Sequence, residues 1–337
     1  MVNRGIICAG CWTLDRIKIV DQWPAEEALA RIIKQDKLGG GSGHNVSLDL
    51  KNLDPNFQVL GMGLLGVDPE GDFLYQQAVL NRVDPAGLLR TEDHHTSYTD
   101  VYTVASTGKR TFFHSPGAND ALTPQHLDFS NTSAKMLHLG LLGLHATLDN
   151  AWNGDPNGWV TVLKAAKAAG LKTNIELVSI QPERNRELCL PCLPYLDSLI
   201  VNDQEIGGLA NIDTIPNGVV CVDSCIEAAL KILEKGAMNT VVVHYPHGSV
   251  CVEEAKSPVI STSFNVPAAD IISSVGAGDA FAAGVLYGLH ENWDINRTLE
   301  LAHAASAASL RSPTTVGSVG TVAECLQYAH TCGKRPS

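Results

Sequence analysis

The sequence predicts an α/β fold with a mostly parallel central sheet and, beside it, a small separate β-sheet. Short apolar runs typical of buried strands alternate along the chain with helical patterns. Such alternation indicates right-handed βαβ units whose sheet is covered by helices on both faces. Two stretches, at about residues 15–37 and 96–115, interrupt the alternation with strand patterns of their own. We therefore expect one domain over residues 1–330, into which these two stretches are inserted as the small sheet.

The predicted strands of the central sheet are short apolar runs. They lie at residues 5–10, 57–60, 135–139, 172–177, 198–201 and 240–243. Between them, apolar residues recur at helical spacing, and each set predicts the buried face of a helix that covers the sheet. These sets are Val46, Leu50 and Leu53, then Phe73, Ala78 and Leu80, then Trp159, Leu163 and Ala166.

The second inserted stretch predicts a β-hairpin. Residues 100–104 and 111–114 are rich in β-branched and aromatic side chains, and the turn sequence STGK at 106–109 separates them. A small sheet of this kind can cover an active site and exclude water from it. We expect it to act as a lid, and we expect residues 331–337 to be a frayed tail.

Composition disfavours a nucleic-acid-binding protein and a membrane protein. The net charge of −12 opposes the clusters of Lys and Arg on which nucleic-acid binding depends. No apolar stretch approaches the roughly eighteen residues that a membrane span needs. The amino terminus lacks the long apolar centre of a signal peptide. We therefore expect a cytoplasmic protein with no nucleic-acid partner and no membrane partner.

The nine cysteines are expected to be mostly buried thiols. They are an odd number scattered through a long chain, unlike the cysteines of a disulfide scaffold. Two Cys-x-x-Cys pairs, Cys8 with Cys11 and Cys189 with Cys192, leave open a zinc site with four ligands. Strand alternation argues against that alternative, because it would turn Cys8 and Cys11 to opposite faces.

A glycine turn followed by an apolar helical run marks a candidate phosphoryl-transfer site. The sequence VGAGDAFAAG occupies residues 275–284. The first turn of a helix leaves N–H groups unpaired and carries partial positive charge, so a glycine turn lets a phosphate approach closely. Asp279, at the join, is placed to accept a proton from a hydroxyl that attacks phosphorus. The alternative is an acidic helix start without a ligand, which helix N-termini favour in any case.

A second glycine-rich segment, GGGSGHNV at residues 39–46, precedes a helical pattern. It does not fit the dinucleotide fingerprint, because the G-x-G-x-x-G spacing is absent and no strand directly precedes it. A Walker A loop is absent as well, since GKRT at residues 108–111 lacks the upstream glycine and the Ser or Thr after Lys. Both of these common nucleotide-binding folds are therefore disfavoured.

Taken together, GGSGHN at residues 40–45 and GAGD at residues 276–279 resemble the two signatures of the ribokinase-like (PfkB) family of carbohydrate and nucleoside kinases. Between them, NDQE at residues 202–205 follows a predicted strand and resembles the family's N-x-x-E element. The similarity spans about residues 4–325. It implies a three-layer α/β/α kinase with a small β-sheet lid. Such an enzyme transfers a phosphoryl group from ATP to a primary hydroxyl of a sugar or sugar-like molecule.

The resemblance also implies roles for individual residues. Asp279 is the expected general base. The backbone amides expected to form the anion hole, which stabilises charge on the transferring phosphoryl group, are those of Gly276, Ala277 and Gly278. The residues expected to bind the sugar are Asp15, Gly40, Gly41 and Asn45. The two glycines Gly40 and Gly41 are also the expected hinge of the lid.

The nucleotide and metal side is implied in the same way. Asn202 and Glu205 are expected to place Mg²⁺ and phosphate, Glu205 largely through water, because that ion retains much of its hydration. Gly248 is the residue retained from a more glycine-rich stretch near the nucleotide. Ser273 stands where members usually carry an Asp that helps to build a monovalent-cation site, which puts potassium activation in doubt. Glu176 stands where many members carry Asp and is a candidate metal-side or phosphate-side carboxylate.

Three alternatives to a sugar kinase stay open. A nucleoside kinase of the same fold would border a base with His44, Phe113 and His114. A non-catalytic sugar-binding relative would keep the fold and lose the transfer. A sugar-phosphate kinase would need basic residues near the acceptor, and the candidates are Arg16, Lys18, Arg31, Lys34 and Arg110. We also expect a homodimer through the lid, because the exposed edges of a small sheet invite pairing with a second copy.

Overall fold

Thirteen strands and nine helices form the part of the chain that the structure, a computed structural model, describes, residues 4–336. The strands are β1 Ile6–Gly10, β2 Thr13–Val20, β3 Ile32–Gly40, β4 Val59–Gly66, β5 Asp84–Thr91, β6 Tyr98–Val104, β7 Arg110–Ser115, β8 Met136–Gly140, β9 Lys172–Ile175, β10 Ser198–Asn202, β11 Thr240–Tyr245, β12 Gly248–Glu253 and β13 Val259–Thr262. The helices are α1 Ser42–Leu53, α2 Pro69–Leu80, α3 Gly158–Ala168, α4 Pro182–Cys189, α5 Asp203–Ala210, α6 Val222–Leu233, α7 Ala277–His290, α8 Ile295–Ser309 and α9 Val322–Cys332.

The central sheet has the order β13-β12-β11-β10-β9-β8-β1-β4-β5. Its pairs from β5 to β11 are parallel, and β12 and β13 continue the sheet antiparallel at one edge. Two apolar cores lie on opposite faces, because Ile7 and Ala9 of β1 point into one core while Ile6 and Cys8 point into the other. Helices α3 to α6 cover the first face, and α1, α2, α7, α8 and α9 cover the second. The predicted three-layer α/β/α fold with a mostly parallel sheet is confirmed.

The small sheet is separate and has the order β3-β2-β6-β7. The pairs β2–β3 and β6–β7 are antiparallel, and β2 and β6 are parallel. The predicted hairpin corresponds to β6 and β7. Strand β3 ends at Gly40, directly before α1, so the small sheet joins the main domain at the first glycine-rich segment.

Strand β4 is longer than predicted, and the reason is a tryptophan. The apolar run at 57–60 predicts a short strand, yet β4 continues to Gly66. Gly61 and Gly63 interrupt the apolar pattern because the indole of Trp12 lies against them. A Cβ on either glycine would lie 2.7 or 2.8 Å from a ring carbon of Trp12. Strands β5, β12 and β13 are absent from the sequence prediction.

Two other expectations were wrong. Leu80, assigned to the buried face of α2, is 74% exposed, and Leu74 is buried there instead. The tail expected at 331–337 begins inside α9, and its backbone is ordered by hydrogen bonds at 2.8 Å from Asn265 N–H to Gly333 O and from Arg335 N–H to Ser263 O. The expected fraying is therefore contradicted for residues 331–336, and Ser337 lies outside the described residues.

Seven of the nine cysteines are buried, and all nine are free thiols. Cys8 belongs to one apolar core, whereas Cys189 and Cys192 belong to the other, so the two Cys-x-x-Cys pairs do not meet. Within residues 4–336, no group of three or more His, Cys, Asp or Glu side chains is arranged to hold a metal ion. Over the same residues, no helix combines the length and the apolar character that crossing a bilayer requires.

Asp49 is a fully buried acid on α1. It lies one turn beyond Asn45, and neither of its carboxyl oxygens has a hydrogen-bond partner among the described residues. Burial, and then the charge of Asp279, raise the pKa of Asp49 well above its usual value. Burial therefore favours the protonated form of Asp49 in the folded protein more than in the unfolded chain. Stability contributed by this proton is present at low pH and falls as the pH rises above the pKa of the unfolded chain.

We expect Asp49→Asn to have a higher melting temperature than the wild type, by a margin that grows from pH 5 to pH 8. Asn keeps the shape of the protonated side chain but has no charge to bury. A gain on the order of 3 °C corresponds to about 1 kcal/mol in a large domain. Melting curves at both pH values test this, with exposed Glu227→Gln as the control. Equal melting temperatures of Asp49→Asn and wild type at pH 8 would contradict the burial of a neutral acid.

Candidate active site

Helix α7 begins at a glycine that no other residue can replace without strain. Gly276 is its N-cap, with φ 82° and ψ −3°. A Cβ at this position would lie 2.3 Å from the backbone oxygen of Thr315, so the turn must pass closely under that loop. The first turn of α7 thus reaches the carboxyl edge of the sheet. Ala277 and Gly278 line one cavity there, and Gly278 and Asp279 line another.

The two glycine motifs meet at Asp279. Asn45, in the first turn of α1, donates a 2.9 Å hydrogen bond from Nδ2 to Asp279 Oδ2. Its orientation is fixed from the other side, because Thr315 Oγ1 donates to Asn45 Oδ1 at 3.1 Å. Burial, and next the charge of Glu176, raise the pKa of Asp279 well above its usual value, and the bond from Asn45 opposes that shift. The arrangement fixes one carboxyl oxygen of Asp279 by an amide, and Glu176 lies close enough to raise the pKa of Asp279 by its charge and by a hydrogen bond.

Asp15 lies on strand β2 and approaches the first glycine motif. A Cβ on Gly40 would lie 2.5 Å from Asp15 Oδ2, so only a glycine admits the carboxylate. The next residue, Gly41, has φ 83°, and a Cβ there would lie 2.6 Å from Cys11 O. Burial raises the pKa of Asp15 to about 7, against a smaller lowering by the hydroxyl of Thr99. Asp15 is close enough to Asp279 that its charge also raises the pKa of that acid.

Asn202 and Glu205 form a capping box at the start of α5. Asn202 N–H donates to Glu205 Oε2 at 3.0 Å, and Glu205 N–H donates to Asn202 Oδ1 at 2.8 Å. Each residue therefore has a structural role as a helix cap. Burial, and to a lesser degree the charge of Glu176, raise the pKa of Glu205 to about 7. The hydrogen bonds of the helix cap do not explain this shift.

Glu176 directly follows β9 and faces the same space. His138 Nε2 lies 2.9 Å from Glu176 Oε2, but neither atom has a hydrogen-bond partner of good geometry among the described residues. Glu176, Glu205 and Asp279 line a cavity of about 150 Å³ together with Asn202. This is an oxygen-rich donor set, and Mg²⁺ binds proteins through one or two carboxylates and retains several waters. These residues fit Mg²⁺ of that kind.

A larger cavity of about 500 Å³ adjoins the first and shares Asn202, Gly278 and His244 with it. Its wall is mainly apolar, and the apolar side chains lining it include Phe264, Val266, Ile271, Phe281 and Leu310. An apolar slot that opens onto a helix N-terminus suits a flat heterocycle linked to phosphates. The volume is within the range of small-molecule sites.

Several residues take positions that sequence reasoning did not foresee. Gly248 begins β12, opposite Tyr245, and is absent from the described lining of both cavities, although Pro246 of the same hairpin lines the larger one. His44 is buried with its ring against Trp12, so it does not border a base. Ser273 is buried, and its Oγ accepts a 3.1 Å hydrogen bond from Arg110 of the small sheet.

Thr315, which bonds to Asn45, and His244, which lines both cavities, are positions at the site to which the sequence analysis gave no role. Thr315 lies in a loop after α8 without a motif of its own, so no local pattern marks it. His244 ends a predicted strand, and the carboxyl ends of parallel strands are where α/β folds bind ligands. The position of His244 at the carboxyl end of a strand was therefore the sequence feature that could have identified it.

Comparison with known proteins shows the family to which the chain belongs. The sequence pattern of the family described as pfkB family carbohydrate kinase matches residues 4–322. The chain belongs to this family. A search of characterised proteins finds similarity to an ATP-dependent ribose-1-phosphate kinase of Halopiger xanaduensis, 26% identical over 306 residues that make up 90% of each chain. It also finds a fructokinase of Klebsiella pneumoniae, 26% identical over 267 residues, 74% of this chain and 76% of the relative.

Solved structures show the same fold. A ribokinase of Arabidopsis thaliana complexed with ribose and ATP superposes with a TM-score of 0.78 at 20% identity, covering 96% of this chain and 98% of that one. A nucleoside kinase of Methanocaldococcus jannaschii superposes with a TM-score of 0.76 at 18% identity, covering 97% and 98%. This pfkB family member is therefore a kinase with the ribokinase-like fold, as the resemblance of its motifs predicted.

The glycine turn gives a matched pair of variants. We expect Gly276→Ala to lower kcat by roughly a hundredfold, because the new Cβ forces the amide turn away from Thr315 and misplaces its N–H groups. Gly170→Ala is the control, since Gly170 has a similar φ of 80° but no atom within 4 Å of a new Cβ. Both variants should lose stability from backbone strain, measured by thermal melting. Comparable kcat in the two variants would show that the turn has no role beyond folding.

Asp15 predicts a pH dependence of acceptor binding. Its ionised form accepts hydrogen bonds from hydroxyl groups, and with a pKa of about 7 that form becomes dominant between pH 6 and 8. We expect kcat/KM for the acceptor to rise about tenfold over this interval, since this parameter follows the free enzyme. Asp15→Asn should lose activity and flatten the rise, while exposed Asp36→Asn on the neighbouring strand keeps it. A wild-type pH profile in Asp15→Asn would remove Asp15 from the acceptor site.

Proposed function

We propose that the protein transfers the γ-phosphoryl group of ATP to a primary hydroxyl of a sugar or sugar-like molecule, with Asp279 as the general base. The observation that carries the proposal is the hydrogen bond from Asn45 to Asp279, a residue that lines the smaller cavity. The amide expected to bind substrate and the candidate base are joined by this hydrogen bond, beside a helix N-terminus suited to phosphate. Asp15 approaches from the opposite side, on the small sheet.

Each group of residues has a separate role in this proposal. The acceptor hydroxyls bind to Asp15 and Asn45, which present carboxylate and amide groups. Asp279 takes the proton from the attacking hydroxyl, while Asn45 stabilises its ionised form by donating to Oδ2. The N–H groups of the turn at 276–278 stabilise negative charge on the moving phosphoryl group.

The nucleotide occupies the larger cavity in this proposal, with its phosphates directed to the first turn of α7. Glu205, Asn202 and Glu176 would hold Mg²⁺, largely through water. When bound, that ion neutralises charge on the phosphate oxygens. Ser273 offers a hydroxyl and not a carboxylate, and that hydroxyl is engaged by Arg110, so we do not assign a monovalent cation to this position.

A phosphorylated sugar is a second candidate acceptor, and Arg110 favours it. Arg16 and Lys18 pair with Glu70 and Asp100 on the outer face of the small sheet. The register of β2, β6 and β7 puts Arg110 on the same face as Asp15, and Arg110 has no carboxylate partner in the described chain. It reaches Ser273, beside the turn at residues 276–278 that we call the anion turn. The relative from Halopiger xanaduensis, named as a ribose-1-phosphate kinase, agrees with this candidate.

A nucleoside acceptor has less support. His44 is buried against Trp12, and Phe113 points to the outer face of the small sheet, where it stacks on Trp23. His114 lies on the inner face and remains available. The homodimer stays a prediction. Its support is the exposure of Trp23 and Phe113, which are 50% and 53% accessible on that outer face.

The decisive experiment measures ATP consumption over a panel of sugars, sugar phosphates, sugar acids and nucleosides, first with wild type and then with Asp279→Asn. We expect a good acceptor to lose activity by a factor of 10² to 10⁴ in the variant, the usual contribution of a general base. Binding of the acceptor, measured separately by thermal shift, should persist.

Two results would contradict the proposal. Equal turnover by Asp279→Asn would remove that residue from its role as base. The wild type could also bind the acceptor and consume no ATP, whichever cation is added to the assay. That result would indicate the non-catalytic sugar-binding alternative.

A further inference from the structure

His244 lies where the two cavities meet. It is the penultimate residue of β11 and pairs in register with Asn202 at the end of β10. Both side chains therefore stand at the carboxyl edge of the sheet, where parallel α/β sheets bind ligands. His244 lines the cavity of about 500 Å³ and also the cavity of about 150 Å³. A ligand that extends from one cavity into the other must pass its imidazole.

The ring is held against the anion turn. Its centroid lies 5.0 Å from that of Phe281, with 39° between the ring planes. Its Cε1–Nε2 edge faces Gly278, since a Cβ built on that glycine would lie 3.7 Å from Cε1 and 4.0 Å from Nε2. The absence of a side chain at Gly278 thus leaves the imidazole edge open toward the first turn of α7.

The imidazole has hydrogen-bonding capacity that the protein does not use. Over residues 4–336, neither ring nitrogen of His244 takes part in a hydrogen bond, whereas His303 behind Phe281 is engaged by Ser249 at 2.8 Å. Burial lowers the pKa of His244 to about 4, so the ring is neutral near pH 7. A neutral imidazole still carries one N–H donor.

Few cationic side chains line the two cavities. Among its described residues, the smaller cavity is lined by the acids Glu176, Glu205 and Asp279 and by no Lys or Arg. In the larger cavity, Arg335 is the described residue with a permanent positive charge. The residues that line both cavities are Asn202, His244 and Gly278, so the side-chain donors at the junction are the amide of Asn202 and the imidazole of His244.

We propose that the His244 imidazole donates a hydrogen bond to the phosphate chain of the bound nucleotide, at the point where it passes from the larger cavity to the anion turn. This inference rests on the proposed function, because it requires ATP in the larger cavity. It makes His244 a nucleotide-binding residue that supplements the backbone amides at 276–278. The ring would select for nucleotides with a phosphate chain over the nucleoside alone.

The test compares the affinities of MgADP and adenosine for wild type and three variants, with saturating acceptor present so that adenosine reports the nucleotide site. We expect His244→Leu to weaken MgADP about tenfold, a change of about 1.4 kcal/mol, and to leave adenosine unchanged. His244→Gln restores a donor on a side chain of similar reach and should recover most of the affinity. His247→Gln, exposed in the same hairpin, is the control and should match wild type.

The outcomes separate this inference from the proposed function. Wild-type affinity for MgADP in His244→Leu, with ATP turnover intact in wild type, overturns the role of His244 alone. Equal weakening of MgADP and adenosine would show that the ring only supports the cavity wall, which also overturns it. Failure of the wild-type protein to bind MgADP would overturn the proposed function, and this inference with it.

Discussion

The hydrogen bond between Asn45 and Asp279 joins positions that are 234 residues apart, and the rest of the site depends on it. It requires α1 and α7 to begin side by side. Both helices begin at a glycine with positive φ, Gly41 and Gly276, and at each a Cβ would collide with the backbone of a neighbouring loop. The glycines of the two motifs are therefore packing requirements as well as proposed ligand contacts. A side chain at either position would separate the helices and break the bond.

Local features of the site could be predicted from the sequence, and its tertiary features could not. The glycine turn before Asp279 has a physical meaning in isolation, because it precedes a helix N-terminus. Pairing with Asn45 has no local signal and was accessible only through the resemblance to a family. Thr315 orients Asn45, and His244 lines both cavities. Both residues lie outside the motifs. Their roles follow from packing, which no periodicity in the sequence records.

The same distinction applies to the fold. Strands with apolar runs, such as β1 and β11, were predicted because both of their faces are buried along those runs. The prediction for β4 was too short because Gly61 and Gly63, which leave room for the ring of Trp12, interrupt the apolar pattern. Strand β5 is half exposed and lies at the edge of the sheet, so it carries no apolar run. The chain beyond α9 is polar yet ordered, because its backbone pairs with residues 263–265. Long-range pairing therefore sets the limits of what a local pattern predicts.

The electrostatics of the site explain how an acidic protein can bind ATP. Burial raises the pKa values of Asp15, Glu205 and Asp279, and Glu176 adds to the shift in the last two. In a protein with a net charge of −12, these acids would repel a triphosphate that carries no cation. Attraction must come from groups whose positive ends are fixed by the fold, namely the N–H groups of α7, and from a cation carried with the nucleotide. In the proposed function the acids then become an advantage, since they would hold that cation and Asp279 would take the proton of the acceptor.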